Sequence, residues 1–143
     1  MAVTQISVFI ENKKGRLIAV TSCLAEYEVN IRALSLADTS DFGILRLIVD
    51  HPNRAYRVLK EAGFTVRESE VLAMEVADVP GGINAGLTAL ERAGINVEYI
   101  YAFLGAGPGK ALNVLKVDKM DEAAQALQAA GLRLLEGGEV YLR

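Results

Sequence analysis

The residues best equipped for chemistry stand together in FIENKKGRL, positions 9–17. Asn12 carries a side-chain amide that can both donate and accept a hydrogen bond. Lys13, Lys14 and Arg16 are cationic, and Gly15 allows close approach of the backbone. From Gly15 to Leu17 the chain enters a helix, whose first N–H groups have no partner within the helix and favour an anion. Such a set holds a ligand rather than breaking a bond. It suits a carboxylate, or a zwitterion with ammonium on one side and carboxylate on the other. The structural alternative is a capped surface turn.

Other reactive types are sparse. His51, the only histidine, follows a strand beside Pro52 and reads as a residue at a helix start. Cys23 lies mid-helix with no cation beside it in sequence to lower its pKa, and a single cysteine forms no internal disulfide. No Cys/His cluster suits a metal, and no nucleophile elbow, phosphate-binding loop or dinucleotide fingerprint occurs. The glycines of GAGPG, 105–109, fit a strand–strand turn. Glu68, Glu70, Asp121 and Glu122 fall on solvated strand ends or helix starts. A non-enzyme without cofactor or metal is expected.

The elements that position the opening loop are written twice. GRLIAVTSCLAEYEVNI (15–31) aligns with GGINAGLTALERAGINV (81–97) at an offset of 66 residues, matching Gly15 to Gly81, Leu24 to Leu90 and Asn30 to Asn96. VDHPNRAYRVLKEAGF (49–64) aligns with VDKMDEAAQALQAAGL (117–132) at an offset of 68, so the second copy has a connection about two residues longer. Residues 1–70 and 71–143 therefore read as two domains of one design.

Within the first, Ile6, Val8 and Ile10 alternate with Gln5, Ser7 and Phe9, as in a strand. Leu17, Val20, Thr21, Leu24 and Tyr27 then recur at helical spacing, and Asn30 ends that helix. IRALSLAD and FGILRLIVD are two strands about a turn at Thr39–Asp41. Asp50 is the expected N-cap of a second helix, Pro52 lies in its first turn and Gly63 stops it. FTVRESEVLAMEV runs extended into the first strand of the second copy. The result is an α+β fold, βαββαβ repeated twice, with antiparallel sheets carrying helices on one face. Along VEYIYAFL both sides are apolar, Tyr99, Tyr101 and Phe103 on one and Ile100, Ala102 and Leu104 on the other. The open sheet face is expected to be covered by the other copy or by a second chain, and a homodimer is expected.

Composition narrows the partners. The chain has 143 residues, 52% hydrophobic and 23% charged, with net charge −3 and a pI near 5.2. No basic stripe is present to attract nucleic acid. No apolar run approaches the roughly 20 residues of a membrane span, and the N-terminus lacks signal-peptide character, so a cytoplasmic protein without membrane contact is expected. Metal carriers of the same topology have a CxxC in the first loop, and small phosphatases an arginine-rich one. Neither pattern is present here. Tyr99, Tyr101 and Phe103 are similar in placement to the aromatics of RNA-binding modules, but the acidity argues against that use.

The remaining pattern resembles the ACT domain, a ferredoxin-like βαββαβ module that binds amino acids and regulates metabolic enzymes. In that family the first strand runs into an N-x-P-G-x-L turn, and INI follows the first helix. Asn12, Gly15, Leu17, Asn30 and Ile31 fall on those positions, as do Pro80, Gly81, Ile83, Ile95, Asn96 and Val97 in the second copy. Lys14 replaces the proline in copy one and Asp78 the asparagine in copy two, so the two loops are not equivalent.

The resemblance covers nearly the whole chain and is similar to small stand-alone double-ACT proteins. It implies a regulatory or sensor protein that binds a free amino acid between ACT units. Copy one's loop would then face Asn96, Glu98, Tyr99 and Tyr101. Glu98 would pair with the α-ammonium, and Asn12 and the Gly15–Leu17 amides would take the carboxylate. Lys14 and Arg16 belong to the same candidate set, while Asp78 would repel a carboxylate. A metabolic enzyme is the implied target. The alternative is a module without ligand that dimerises or docks on such an enzyme.

Overall fold

The computed structural model of the chain describes residues 2–38 and 41–141. Twelve elements follow in order: β1 (Val3–Glu11), α1 (Arg16–Glu26), β2 (Ile31–Asp38), β3 (Phe42–Val49), α2 (Pro52–Glu61) and β4 (Thr65–Ala77), then α3 (Asn84–Arg92), β5 (Val97–Ala102), β6 (Lys110–Val117), α4 (Met120–Ala129), β7 (Arg133–Leu135) and α5 (Gly137–Tyr141). Two compact units result, Thr4–Ser69 with Tyr141 and Glu70–Val140 with Val3. β4 is divided between them, closing the N-terminal unit and opening the C-terminal one. The expected turn at Thr39–Asp41 falls largely outside the described residues, which omit Thr39 and Ser40.

The sheet of the N-terminal unit runs β2-β3-β1-β4, with β1 and β2 both antiparallel to β3. Period-two alternation sends Ile6, Val8 and Ile10 of β1 and Leu45, Leu47 and Val49 of β3 to one face. There they meet Val20 and Leu24 from α1 and Ala55, Val58 and Leu59 from α2, all buried. The C-terminal unit repeats the design as β5-β6-β4-β7. Its core takes Leu72, Met74 and Val76 from β4, Leu90 from α3, Leu115 and Val117 from β6, and Ala123 and Leu127 from α4. Even the irregularities recur: β2 and β5 each carry a register shift, at Ile31/Ala33 and Val97/Tyr99.

Several local expectations change. Asp50 does not cap α2; His51 holds that position without a side-chain cap bond. The Asp50 Oδ1 instead accepts the main-chain N–H of Asn30 at 2.8 Å, and Asp118 Oδ1 accepts that of Asn96 at 3.1 Å. The carboxylate satisfies the backbone where the following strand begins, which competes with capping. The first helix ends at Glu26, before Asn30, and Glu28 takes the left-handed conformation, φ 57°. Copy two has Gly94 there, φ 73°. Gly63 ends α2 as expected, with φ 95° and a bond from Phe64 N–H to the Leu59 carbonyl.

The C-terminal unit closes differently from the first. β7 has only three residues and gives way to α5. Glu139 reaches back to the Glu136 N–H at 3.2 Å, half of a capping box, and Val140 is buried.

Candidate ligand-binding site

β1 delivers Asn12 at the end of an alternating strand, and α1 begins four residues later. Gly15 is the N-cap of α1 with φ 88°, a conformation that L side chains rarely adopt. No atom lies within 4 Å of a Cβ added there, so this glycine answers to backbone conformation rather than to space. The Asn12 N–H donates to the Asp41 carbonyl at 3.0 Å, tying the loop to the start of β3. In copy two the Asp78 N–H donates to the Gly109 carbonyl at the same 3.0 Å. The two loops share this tie and a positive-φ glycine, Gly15 and Gly81, but α1 begins directly after Gly15 whereas α3 begins only at Asn84, with Ile83 as its N-cap.

Beneath the first loop lies a cleft of ≈ 60 Å³ lined by Ile10, Glu11, Asn12, Lys13, Leu17, Leu36, Asp38 and Gly43. Ile10, Leu17 and Leu36 supply apolar walls, and Glu11, Asn12, Lys13 and Asp38 supply polar ones. Lys13 Nζ stands 3.0 Å from Glu11 Oε2 in an exposed ion pair. The hydrogen bond from Lys13, followed by its charge, holds the Glu11 carboxyl below its ordinary pKa. Among the described residues, no ion-pair partner lies within reach of the Asp38 carboxylate. A polar mouth over an apolar floor matches the chemistry of a free amino acid.

Of the residues singled out from the sequence, the cleft unites Asn12 and Leu17. Lys14, Gly15 and Arg16 adjoin it in the chain without lining it. The Arg16 guanidinium instead lies over the Phe64 ring, 5.4 Å from its centroid. Asn96, just before β5, and Glu98, Tyr99 and Tyr101 within it belong to the C-terminal unit. Tyr99 and Tyr101 stack at 6.3 Å on the strand face opposite the one that Ile100 shares with Leu115. Sequence reasoning missed Ile10, Glu11, Leu36, Asp38 and Gly43, and named Lys13 only as one of the loop's cations. A signal existed in the differences between the copies. Glu11, Lys13, Leu36, Asp38 and Gly43 become Ala77, Val79, Ala102, Leu104 and Ala111.

Elsewhere the reactive types have structural surroundings. Cys23 lines a cleft between α1 and α2 with Glu26 and Glu61, and its thiol lies 3.8 Å from the Val58 carbonyl. Burial, and secondarily the Glu26 charge, pushes its pKa up, away from a reactive thiolate. His51 Nε2 stands 3.7 Å from Asp50 Oδ2 on the surface. Among the described residues no cluster of three metal-ligating side chains occurs, and no helix is long and apolar enough to cross a membrane.

Comparison with known protein families matches residues 1–140 to the ACT domain pair. This chain belongs to that family. Among solved structures, protein BT0572 from Bacteroides thetaiotaomicron is 37% identical to this ACT pair, with a TM-score of 0.92 over 99% of this chain and 96% of that one. The regulatory subunit of aspartate kinase from Thermus thermophilus, ligand-free, shares the fold at 17% identity, TM-score 0.65, over 89% of this chain and 91% of that one. Aspartate kinase from Clostridium acetobutylicum aligns over 89% of this chain and 32% of its own, at 15% identity and a TM-score of 0.55. No curated protein matches the sequence. The ACT domain pair is a regulatory module, and its members generally bind amino acids.

Proposed function

We propose that this ACT pair, with domains at 1–70 and 71–143, is a non-catalytic sensor that binds a free amino acid at the Asn12–Leu17 loop. The observation that carries the reading is the cleft under that loop, half apolar and half polar in its lining residues, in the copy that keeps the family asparagine. The Asn12 amide and the N–H groups of the first turn of α1 after Arg16, whose own N–H donates to the Lys13 carbonyl at 3.3 Å, receive the carboxylate. Lys14, Gly15 and Arg16 follow the lining residues in the chain, and with Asn96, Glu98, Tyr99 and Tyr101 they are the further contacts that the family resemblance suggests. The ammonium then has two candidate acceptors, Glu98 and Asp38. Replacing each by its amide decides between them, because the true acceptor loses affinity and the other does not.

A thermal-shift panel of the twenty amino acids tests the reading directly, since a ligand that binds only the folded state must raise the midpoint with concentration. Calorimetry with the best amino acid then compares Asn12→Ala with Asp78→Ala. Loss of hydrogen bonds to charged groups in Asn12→Ala is expected to cost about 1.5–3 kcal/mol, roughly ten- to a hundredfold in affinity. Its folding stability should change by less than about 1 kcal/mol, because Asn12 is exposed. Asp78→Ala should bind as the parent does. Equal losses would mean two equivalent sites, and unchanged binding in both would leave the loop a capped turn.

The reading extends to a homodimer, a cytoplasmic setting and a metabolic enzyme as target. Val79, Ile100 and Leu104 are exposed large apolar side chains in the C-terminal unit, which favours a self-associating surface there.

A further inference from the structure

Copy two carries a charged groove whose charges copy one lacks. Within the C-terminal unit, Glu75, Val76, Ala85, Lys110, Leu132 and Arg133 line it, drawn from β4, α3, β6 and the chain around the start of β7. The Glu75 side chain is only 10% exposed, and its Oε1 lies 3.1 Å from Lys110 Nζ while its Oε2 lies 3.5 Å from Arg133 Nη1. Glu139 takes the other terminal nitrogen of that guanidinium. One buried carboxylate thus fixes two cations that are themselves 56% and 52% exposed. An ammonium has three N–H donors and a guanidinium five, so both keep donors beyond those these bonds use. Copy one has Phe9, Phe42 and Thr65 at the three positions, so the constellation is no requirement of the fold. There, too, Arg16 lies over Phe64, where copy two has Gly82 and Leu132. A Cβ at Gly82 would collide with the Ala77 carbonyl, so no side chain covers the groove from that position.

We propose that this groove is a second ligand site, for a small organic acid with a carboxylate head, an apolar body and no amino group. The head bridges Lys110 and Arg133 through their remaining N–H groups, as charge-assisted hydrogen bonds. Glu75 is the positioning residue that holds both cations in place. The three charged side chains among the lining residues sum to one positive charge, which favours an anion. Glu75 already holds two cations, which disfavours an ammonium on the ligand. Val76, Ala85 and Leu132 receive the apolar body. Short carboxylic acids and 2-oxo acids have this chemistry, and free amino acids do not.

NMR titration of the intact chain with butyrate, 2-oxobutyrate, acetate and butylamine tests it. Butyrate and 2-oxobutyrate should shift the amide signals of Gly82, Ala85, Lys110 and Arg133 and reach saturation. Acetate, two methylenes shorter, should bind about tenfold more weakly, and butylamine at least as weakly as acetate. Lys110→Gln and Arg133→Gln should each weaken butyrate about tenfold or more, whereas Asn12→Ala should leave it unchanged. Both cations are more than half exposed, and an unfolding midpoint close to the parent's confirms that each variant is folded. Butylamine or acetate binding as tightly as butyrate overturns the proposal. So does butyrate binding that both cation variants leave unchanged. No saturable shift with either four-carbon acid overturns it as well, and leaves the amino-acid reading at Asn12 untouched.

Discussion

Single residues carry the differences between the copies. Glu28 occupies a left-handed position at the end of α1 where copy two has Gly94. The local pattern is the same in both: Val29 N–H bonds to the Leu24 carbonyl, and Ile95 N–H to that of Leu90, each at 2.9 Å. A side chain at positive φ costs roughly 1–2 kcal/mol, partly offset by the greater freedom of glycine in the unfolded chain. Glu28→Gly should therefore stabilise the protein by about 0.5–1 kcal/mol, read as a higher denaturant midpoint at unchanged slope. The Glu11–Lys13 pair makes a prediction with pH. Because the folded-state pKa of Glu11 is lowered, the pair contributes fully above the unfolded carboxylate pKa and is lost as pH falls through the folded one. Lys13→Ala should return the Glu11 titration, followed by NMR, towards the ordinary carboxylate value.

Among the elements, α1 and α3 show how one design accommodates two cores. Gly86, the third residue of α3, would place a Cβ only 2.6 Å from Met74 Sδ and 3.0 Å from Met74 Cε. At the corresponding positions copy one has Val20 and Val8, a larger helix residue over a smaller strand residue. The helix thus accepts a glycine, at about 1 kcal/mol in propensity, to make room for a long side chain on β4. Gly86→Ala gains propensity but overpacks the core, which typically costs about 1–3 kcal/mol. Combining it with Met74→Val reproduces the packing logic of copy one. A double-mutant cycle should show favourable coupling of at least about 0.5 kcal/mol; simple additivity would contradict this account of α3.

For the molecule as a whole, ligand binding and stability are linked. At a free amino acid concentration one hundred times the parent Kd, one site should add about 2.7 kcal/mol to unfolding, and Asn12→Ala should cut that gain to about 0.4–1.4 kcal/mol at the same concentration. The homodimer expected from the exposed apolar residues should appear in sedimentation at high micromolar concentration. A monomer there would remove that part of the proposal. Both measurements belong away from pH 5.2, where the vanishing net charge promotes nonspecific association.

What the sequence by itself determined was the repeated unit, the strand and helix periods, and the loop at Asn12. These rest on local rules, period two against period 3.6 and a glycine where φ must be positive, and local rules are written in order along the chain. Gly63 and the run of β4 were legible in this way, whereas Gly15 was read as room for a ligand and is held by its φ of 88°. Only the tertiary structure decided that Leu36, Asp38 and Gly43 join Asn12 and Leu17, because antiparallel pairing sets Gly43 beside both Ile10 and Asp38. That register joins residues up to about thirty positions apart, a distance at which no spacing rule operates. It also turned Asp50 from an expected helix cap into the acceptor for Asn30, since a carboxylate bonds to whichever unsatisfied N–H the folded chain brings within reach.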